Sequence, residues 1–371
     1  MATRNGGAFV LVALCVSGLA LRVAGAREPL MPAMYVLGDS TVDVGNNNFL
    51  PDCSAECRAN YPRYGVDFPT HKPTGRFSNG YNLADQIAQF LGFTESPPAY
   101  ASLPPERILG QMKTGINFAS GGSGLQDQTG KHWRVYTMTD QLEKFTCAVQ
   151  MMGNSSYDLI SRSLVFISVG SNDLFEYVDG NATLSPSRND TAFLQGLVAA
   201  YKSYLQELYA AGARKFSIVS PSMVGCCPSQ RFAGAAKKDL DGYRCFGTAN
   251  DLSRQLYPKL HSMLQDLSAD LAGMNYSICH SAAMAETVLK HAASPTLSKP
   301  DGAGHGVLRR RRAVRDGKCT KFASVCPNRD NYLFWDGFHP TQAASAEAAF
   351  ALVADQGLYV HPINLTRLAA L

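Results

Sequence analysis

The chain has 371 residues, of which 46% are hydrophobic and 17% are charged, and it contains 32 Gly and 19 Pro. This composition excludes a disordered polar chain, a collagen-like repeat and a coiled coil, and the length suits one large domain or two ordinary ones. Lys and Arg total 34 against 30 Asp and Glu, a formal net charge of +4, which is too balanced to indicate the basic face of a nucleic-acid-binding protein.

The first residues have the pattern of a secretory signal peptide. A basic start is followed by a largely apolar run over residues 8–21 and then by the small residues Ala-Gly-Ala that end at Ala26. A membrane anchor is the alternative, but the run is shorter than the roughly 20 residues that span a bilayer, and Arg22 interrupts it. We therefore predict a signal peptide over residues 1–26 and a single secreted domain over residues 27–371, without a transmembrane segment.

Short apolar runs follow along the chain, and runs of this kind indicate strands that are buried on both faces of a sheet. The predicted strands cover residues 34–37, 115–119, 164–169 and 216–219. The spacing of apolar residues predicts helices over residues 83–91, 191–208, 249–274 and 342–353. Strands that alternate with helices, with no Pro- or Ser-rich linker between halves, predict one α/β domain with a mainly parallel sheet.

Open parallel sheets form their sites beyond the carboxyl ends of the strands, so reactive residues are expected there. Ser40 directly follows the first predicted strand, on a turn that begins at Gly38. Such a turn can project the serine hydroxyl into a cleft, although a serine at this place also commonly caps a helix. From this segment alone, both interpretations stay open.

A candidate base lies near the carboxyl terminus, where Asp336 precedes His339 by three residues. A neutral imidazole can remove the proton of a serine, and a carboxylate at its Nδ1 fixes its orientation and stabilises the imidazolium that forms. Taken alone, an Asp and a His in a surface loop would be the simpler interpretation. Their combination with Ser40 is what indicates nucleophilic catalysis.

Two further strand ends offer hydrogen-bond donors for a developing oxyanion. Asn172 follows the predicted strand at 164–169, and Gly121 and Gly122 follow the one at 115–119. An amide side chain or a backbone N–H in such a place contributes about 10²–10³ in rate. The alternative is that these residues only form turns.

The four segments, in this order and spacing, resemble the GDSL-type esterase/lipases of the SGNH hydrolase superfamily. The long version of the first segment, from Gly38 to Asn48, is similar to the secreted plant branch, and the resemblance covers residues 32–353. It implies a three-layer α/β/α, flavodoxin-like fold with a mainly parallel sheet. It also implies that Asp43 and Asn46 brace the nucleophile loop, and that the enzyme uses neither a metal nor an organic cofactor.

The resemblance also implies roles for the candidate site residues. The catalytic triad of nucleophile, base and orienting carboxylate would consist of Ser40, His339 and Asp336. The oxyanion hole would consist of the Ser40 N–H, the Asn172 amide and the N–H of Gly121, which we favour over Gly122.

The function implied is that of a secreted serine esterase or lipase, which hydrolyses acyl or acetyl esters of small molecules, lipids or polysaccharides through an acyl-enzyme. In a plant it would act in the apoplast or the cell wall. Alternatives on the same residues are an acyltransferase, in which an alcohol replaces water, and a deacetylase of cell-wall polysaccharide. A non-catalytic secreted binding protein is a third alternative, but it would have no need of the Ser, Gly, Asn and His together.

Cysteines and glycosylation sequons agree with an oxidising, extracellular route. Of the ten Cys, nine remain after Cys15 leaves with the signal peptide. The candidates for short-range disulfides are Cys53 and Cys57, the group Cys226, Cys227 and Cys245, and Cys319 and Cys326. No pair of C-x-x-C motifs is present, which disfavours a zinc site. Five N-x-[ST] sequons predict possible glycosylation at Asn154, Asn181, Asn189, Asn275 and Asn364.

One stretch, residues 291–318, departs from the resemblance. Where this branch has a Tyr-, Gly- and Phe-containing segment followed by paired cysteines, this chain has a basic run from Arg309 to Arg312. Three interpretations stay open: a divergent solvated loop, a basic patch for anionic cell-wall or membrane surfaces, and a local frame shift in the gene model. The odd number of mature cysteines fits the frame shift. A natural peptide that joins Leu308 to Arg309, found by mass spectrometry, would exclude it.

Overall fold

A computed structural model of the chain describes residues 28–153, 156–180, 188–293, 308–309 and 324–371. The predicted signal peptide, the sequons at Asn154 and Asn181, Cys319 and most of the divergent stretch lie outside the described residues.

The described strands and helices alternate along most of the chain. The strands are β1 (Met34–Gly38), β2 (Pro62–Gly65), β3 (Leu164–Ser168), β4 (Lys215–Val219), β5 (Asn275–Cys279), β6 (Leu308–Arg309), β7 (Ser324–Val325) and β8 (Val360–Pro362). The α-helices are α1 (Leu83–Phe90), α2 (Pro105–Gln111), α3 (Met138–Met152), α4 (Ser156–Arg162), α5 (Ser171–Asp179), α6 (Asp190–Ala210), α7 (Pro228–Lys237), α8 (Gly247–Asp270), α9 (Ser281–Ala293), α10 (Gln342–Ala354) and α11 (Leu365–Ala370). The four helices expected from the sequence correspond to α1, α6, α8 and α10.

The central sheet has five strands in the order β1-β3-β4-β5-β8. The first four are parallel, with Met34 opposite Leu164, and Lys215 opposite both Leu164 and Asn275. The short β8 pairs antiparallel with β5 at the edge. The mainly parallel sheet expected from the sequence is thus confirmed, although β5 and β8 were not among the predicted strands.

The predicted strand at 115–119 is wrong as a regular strand. Its backbone does lie beside β1, where Val36 N–H donates to Ile116 at 3.1 Å and Phe118 N–H donates to the Val36 carbonyl at 2.7 Å. The segment forms only isolated bridges at Asn117. At the start of the segment Gly115 has a φ of +118°, and it packs so closely against β1 that a Cβ would lie 2.0 Å from the Met34 carbonyl oxygen.

The sheet has an apolar core on each face, which gives three layers. Along β1, Tyr35 and Leu37 join the larger core with residues of α3, α6 and α8, whereas Met34 and Val36 join a second core with residues of α1, α10 and α11. Every residue of β1 is buried, as expected for a parallel strand that is covered on both sides. The three-layer α/β/α fold is therefore confirmed. Within the described ranges, the helices lack the combination of length and apolar character that a membrane span requires.

Two disulfides lie within the described part of the chain, Cys53–Cys57 and Cys226–Cys245. Cys227, the remaining member of its predicted group, is a buried thiol. Cys326 is also a thiol there, while its candidate partner is not described.

Three of the five sequons fall on described residues, and they differ in exposure. Asn189 is exposed and caps α6, and Asn275 is half-buried at the start of β5. Asn364 caps α11 and is only 6% exposed.

Candidate active site

The end of β1 positions the candidate nucleophile. Gly38, the last residue of the strand, has a φ of +142°, and a Cβ there would lie 2.0 Å from the Ser168 carbonyl oxygen. Only glycine fits such a turn without displacing the neighbouring strand. The side chain of Gln141, on α3, accepts from Gly38 N–H at 2.8 Å and donates to the Gly38 carbonyl at 3.0 Å. The chain thus reaches Ser40 in a fixed direction, at the carboxyl end of the sheet.

The structure brings Ser40 and His339 together across 299 positions of sequence. The Ser40 Oγ lies 2.8 Å from His339 Nε2, and His339 Nδ1 lies 2.8 Å from Asp336 Oδ2. The same carboxylate accepts the backbone N–H groups of Phe338 and His339 at 2.8 Å through Oδ1, which folds the loop so that the acid and the imidazole face each other. This is the arrangement in which an imidazole can take a serine proton.

The Asp336 carboxylate remains ionised although it is buried. Burial raises its pKa, but the attraction and hydrogen bond of His339 and the hydrogen bond from Tyr64 outweigh burial, so the pKa lies below its ordinary value. The Tyr64 hydroxyl donates to Asp336 Oδ2 at 2.6 Å. A charged carboxylate is thereby available to orient the Nδ1–H of His339.

The candidate oxyanion donors differ in whether their N–H groups already have an acceptor. Asn172 lines the same cavity as Ser40, and its Nδ2 donates one hydrogen to the Ser123 carbonyl at 2.9 Å, which leaves the second for a ligand. The N–H of Gly121 is occupied, because it donates to Asp43 Oδ2 at 3.0 Å. Gly122 also lines the cavity, and no acceptor for its N–H occurs among the described residues. The preference for Gly121 stays a prediction, and Gly122 is the glycine of the pair whose N–H is free of an acceptor in the described part of the chain.

Asp43 and Asn46 brace the nucleophile loop. The Asp43 carboxylate accepts the N–H groups of Gly45 and Asn46 at 2.7 Å, in addition to that of Gly121. The amide of Asn46 donates to the carbonyls of Asn117 and Ala119 at 2.9 and 2.8 Å. Burial raises the pKa of Asp43 to about 6, while these backbone hydrogen bonds act in the opposite direction.

Sequence reasoning missed three side chains that touch this machinery. Gln141 holds Gly38, Tyr64 binds Asp336, and the ring of Phe77 lies 4.9 Å from the His339 ring, centroid to centroid. No local sequence pattern links these side chains to a triad, because the contacts named here join residues that are about 100 positions or more apart.

A cavity of about 960 Å³ opens beside Ser40 and His339. Near the triad it is bounded by Phe175 and Phe338, whose rings meet edge to face at 5.3 Å. Its lining also includes side chains of α9 and α10, both apolar ones such as Met284, Val288 and Ala348 and polar ones such as Thr287 and Glu347. The volume and the lining suit a small organic ligand with an apolar part. Over the described ranges, His, Cys, Asp and Glu side chains do not assemble into a group of three or more that could hold a metal ion.

Comparisons with known proteins show which family the sequence resembles. A family model for GDSL-like lipases and acylhydrolases matches residues 34–352. A GDSL esterase/lipase of Arabidopsis thaliana is 34% identical over 94% of this chain and 93% of its own length. A second GDSL esterase/lipase from the same plant is 33% identical over 93% of this chain and 87% of its own length. Another is 32% identical over 98% of this chain and 98% of its own length. The similarity expected from the sequence is thereby confirmed over nearly the whole chain.

Proposed function

The chain belongs to the GDSL-like lipase/acylhydrolase family and is a carboxylic ester hydrolase, and we propose that it cleaves its substrate with a Ser40–His339–Asp336 triad. The observation that carries this proposal is the unbroken series of contacts from Ser40 Oγ to His339 Nε2 and from His339 Nδ1 to Asp336, each at 2.8 Å.

The proposed reaction forms an acyl-enzyme and then hydrolyses it. His339 removes the proton of Ser40 as the oxygen attacks the ester carbonyl, and Asp336 stabilises the imidazolium that results. The tetrahedral intermediate collapses, the bond to the alcohol breaks, and His339 gives its proton to the leaving alkoxide. Water activated by His339 then attacks the acyl-enzyme, releases the acid and restores the Ser40 hydroxyl.

The oxyanion of each tetrahedral intermediate requires donors that are already in place. The Asn172 amide and the backbone N–H groups of Ser40 and Gly122 supply them, all from residues that line the cavity. Donors fixed in advance stabilise the charge without reorganisation at the moment of reaction.

We propose that part of the cavity accommodates an aliphatic acyl group. The cavity lining includes the apolar side chains of Met284, Val288 and the alanines of α10, next to the hydrogen-bonding side chains of Thr287, Ser345 and Glu347. Each buried methylene of an acyl chain contributes about 0.8 kcal/mol, or roughly fourfold in binding. Activity should therefore rise with acyl length until the cavity is filled.

We also propose that the mature protein, residues 27–371, is secreted. The amino-terminal pattern supports this, as do the disulfides Cys53–Cys57 and Cys226–Cys245, which persist in oxidising compartments.

The test is hydrolysis of p-nitrophenyl acetate, butyrate and a long-chain ester by the wild-type protein and by Ser40→Ala. We expect the wild type to prefer the longer chains and the variant to lose turnover. Ser268→Ala, which removes a serine hydroxyl on α8, is the matched control and should retain full activity. An alkyl phosphonate should label Ser40, and a label on another residue, or unchanged turnover in Ser40→Ala, would overturn the assignment.

A further inference from the structure

A tyrosine from a distant segment donates a hydrogen bond to the candidate orienting carboxylate, Asp336. The Tyr64 hydroxyl donates to Asp336 Oδ2 at 2.6 Å, although the two residues are 272 positions apart. Tyr64 lies on β2, outside the central sheet, and is 5% exposed. Since both partners are buried, water does not screen or replace this hydrogen bond.

The hydrogen bond completes the set of donors around the carboxylate. Asp336 Oδ1 accepts the N–H groups of Phe338 and His339, which fix one edge of the group to its own loop. Oδ2 faces His339 Nδ1 and receives the Tyr64 hydroxyl from another part of the fold. Tyr64 is therefore the donor that ties the oxygen next to the imidazole to a separate structural element.

The surroundings keep the tyrosine in this role. Its ring packs edge to face against Phe77 at 6.3 Å, and Phe77 in turn lies 4.9 Å from the His339 ring. Burial, the charge of Asp336 and a hydrogen bond with Tyr61 raise the pKa of Tyr64 well above its ordinary value, so that it keeps its proton at every working pH. Two packed aromatic side chains thus contact the candidate triad, Tyr64 at Asp336 and Phe77 at His339.

We propose that Tyr64 is a positioning residue, which holds the Asp336 carboxylate in the plane that directs His339 toward Ser40 and which withdraws charge from that carboxylate. The proposal rests on the proposed function of the triad. It assigns Tyr64 no contact with substrate, so its effect on the reaction passes through Asp336.

Removal of the hydroxyl has two expected consequences. The carboxylate loses one of its two fixed edges, and His339 spends less time in the productive orientation. The carboxylate also carries more negative charge, so that it stabilises the protonated imidazole of His339 more strongly. Hydrogen bonds to charged groups are strong enough for the loss of one to change a rate about tenfold or more.

The experiment compares Tyr64→Phe with the wild type. We expect kcat to fall about tenfold while KM changes less than twofold, and we expect the acid limb of the pH profile of kcat/KM to move to higher pH. Tyr177→Phe is the matched control, since Tyr177 is 8% exposed and also donates to an aspartate, Asp190, at 2.8 Å. The control should lose comparable thermal stability but keep the acid limb unchanged.

A double-mutant cycle separates positioning from a general loss of structure. In the Asp336→Asn background, Tyr64→Phe should cost less than twofold in kcat, because the group on which it acts is gone. An additive tenfold loss in that background, or an unmoved acid limb in the single variant, would overturn the proposal.

An NMR measurement and the Ser40→Ala variant distinguish a failure of the Tyr64 proposal from a failure of the triad. The far-downfield proton resonance of His339 Nδ1–H should shift in Tyr64→Phe and not in Tyr177→Phe, which requires no turnover at all. If Ser40→Ala retains activity, the triad itself is refuted. If Ser40→Ala is inactive while Tyr64→Phe behaves like Tyr177→Phe, only the role of Tyr64 is refuted.

Discussion

The N–H of Gly121 donates to Asp43 Oδ2 at 3.0 Å, and this contact joins two loops that are 78 residues apart in sequence. One loop carries Ser40 and the other carries Gly122. Because Asp43 also binds two N–H groups of its own loop, the position of the nucleophile and that of a proposed oxyanion donor depend on one buried carboxylate.

Replacement of Asp43 by Asn should disturb both loops at once. The new amide nitrogen would face the Gly121 N–H, and a buried donor without an acceptor costs about 1–3 kcal/mol. We expect kcat to fall by about ten- to a hundredfold together with a loss of thermal stability. Kinetics and thermal unfolding of the purified variant measure both effects.

Asp241→Asn is the matched control for that change. The Asp241 carboxylate accepts the N–H groups of Tyr243 and Cys245 at 2.9 Å in the connection between α7 and α8. This variant should lose stability without a comparable loss of kcat. Equal losses of kcat in both variants would show that Asp43 acts only on the fold.

Asn172 should contribute to turnover rather than to substrate binding. In the proposed mechanism its second N–H stabilises a charge that exists only in the tetrahedral intermediate, so Asn172→Ala should lower kcat by about 10²–10³ and leave KM nearly unchanged. Steady-state kinetics on a p-nitrophenyl ester measure both constants. A loss below tenfold, in a variant that melts like the wild type, would remove Asn172 from the oxyanion hole.

The parts of the fold that the sequence predicted are those with a strong local pattern. β1 and β3 are continuous apolar runs, because both faces of each strand are covered. β5 was missed since Asn275 and Ser277 interrupt its apolar pattern, and β8 is only three residues long and ends in Pro362. A short edge strand leaves no periodicity to detect.

The candidate site also divides into residues that a local sequence pattern predicts and residues that it does not. Ser40, Asp336 and His339 lie in compact segments whose residue types indicate the chemistry. The choice between Gly121 and Gly122 could not be made in this way, because both glycines fit the pattern. It depends on which N–H already has an acceptor, and that acceptor comes from a loop far away in sequence.

The described sequons should differ in glycan occupancy. At Asn189 the cap of α6 uses only Oδ1, which accepts from Ala192 N–H, and the exposed Nδ2 is available for a glycan. At Asn364 both ends of the amide are bound, since Oδ1 accepts from Arg367 N–H and Nδ2 donates to the Asp355 carbonyl at 2.9 Å. We expect peptide mass spectrometry of the secreted protein to find a glycan at Asn189 and an unmodified Asn364. A glycan at Asn364 would contradict this expectation, and Asn189→Gln should lose the mass of one glycan.

Buried carboxyls should make the stability of this protein depend on pH. Burial raises the pKa of Asp173 to about 6, although the N–H groups of Gln126 and Leu125 and the Thr129 hydroxyl act in the opposite direction. The unfolded chain loses this proton near its ordinary pKa of 3.8. Between about pH 4 and pH 6 the folded state therefore binds more protons, and the contribution of Asp173 to the free energy of unfolding falls as pH rises, then levels off.

Comparison of the wild type with Asp173→Asn isolates this contribution, because other titrating groups, such as the half-buried His261 and His280, cancel in the difference. The free energy of unfolding of the wild type minus that of the variant should decrease by about 1–3 kcal/mol from pH 4 to pH 7. Asp190→Asn is the control: Arg188 lowers the pKa of Asp190, so its contribution is complete above pH 4 and the corresponding difference should stay level. Denaturant unfolding at several pH values measures both differences. A difference for Asp173→Asn that is flat or increases with pH would contradict the raised pKa.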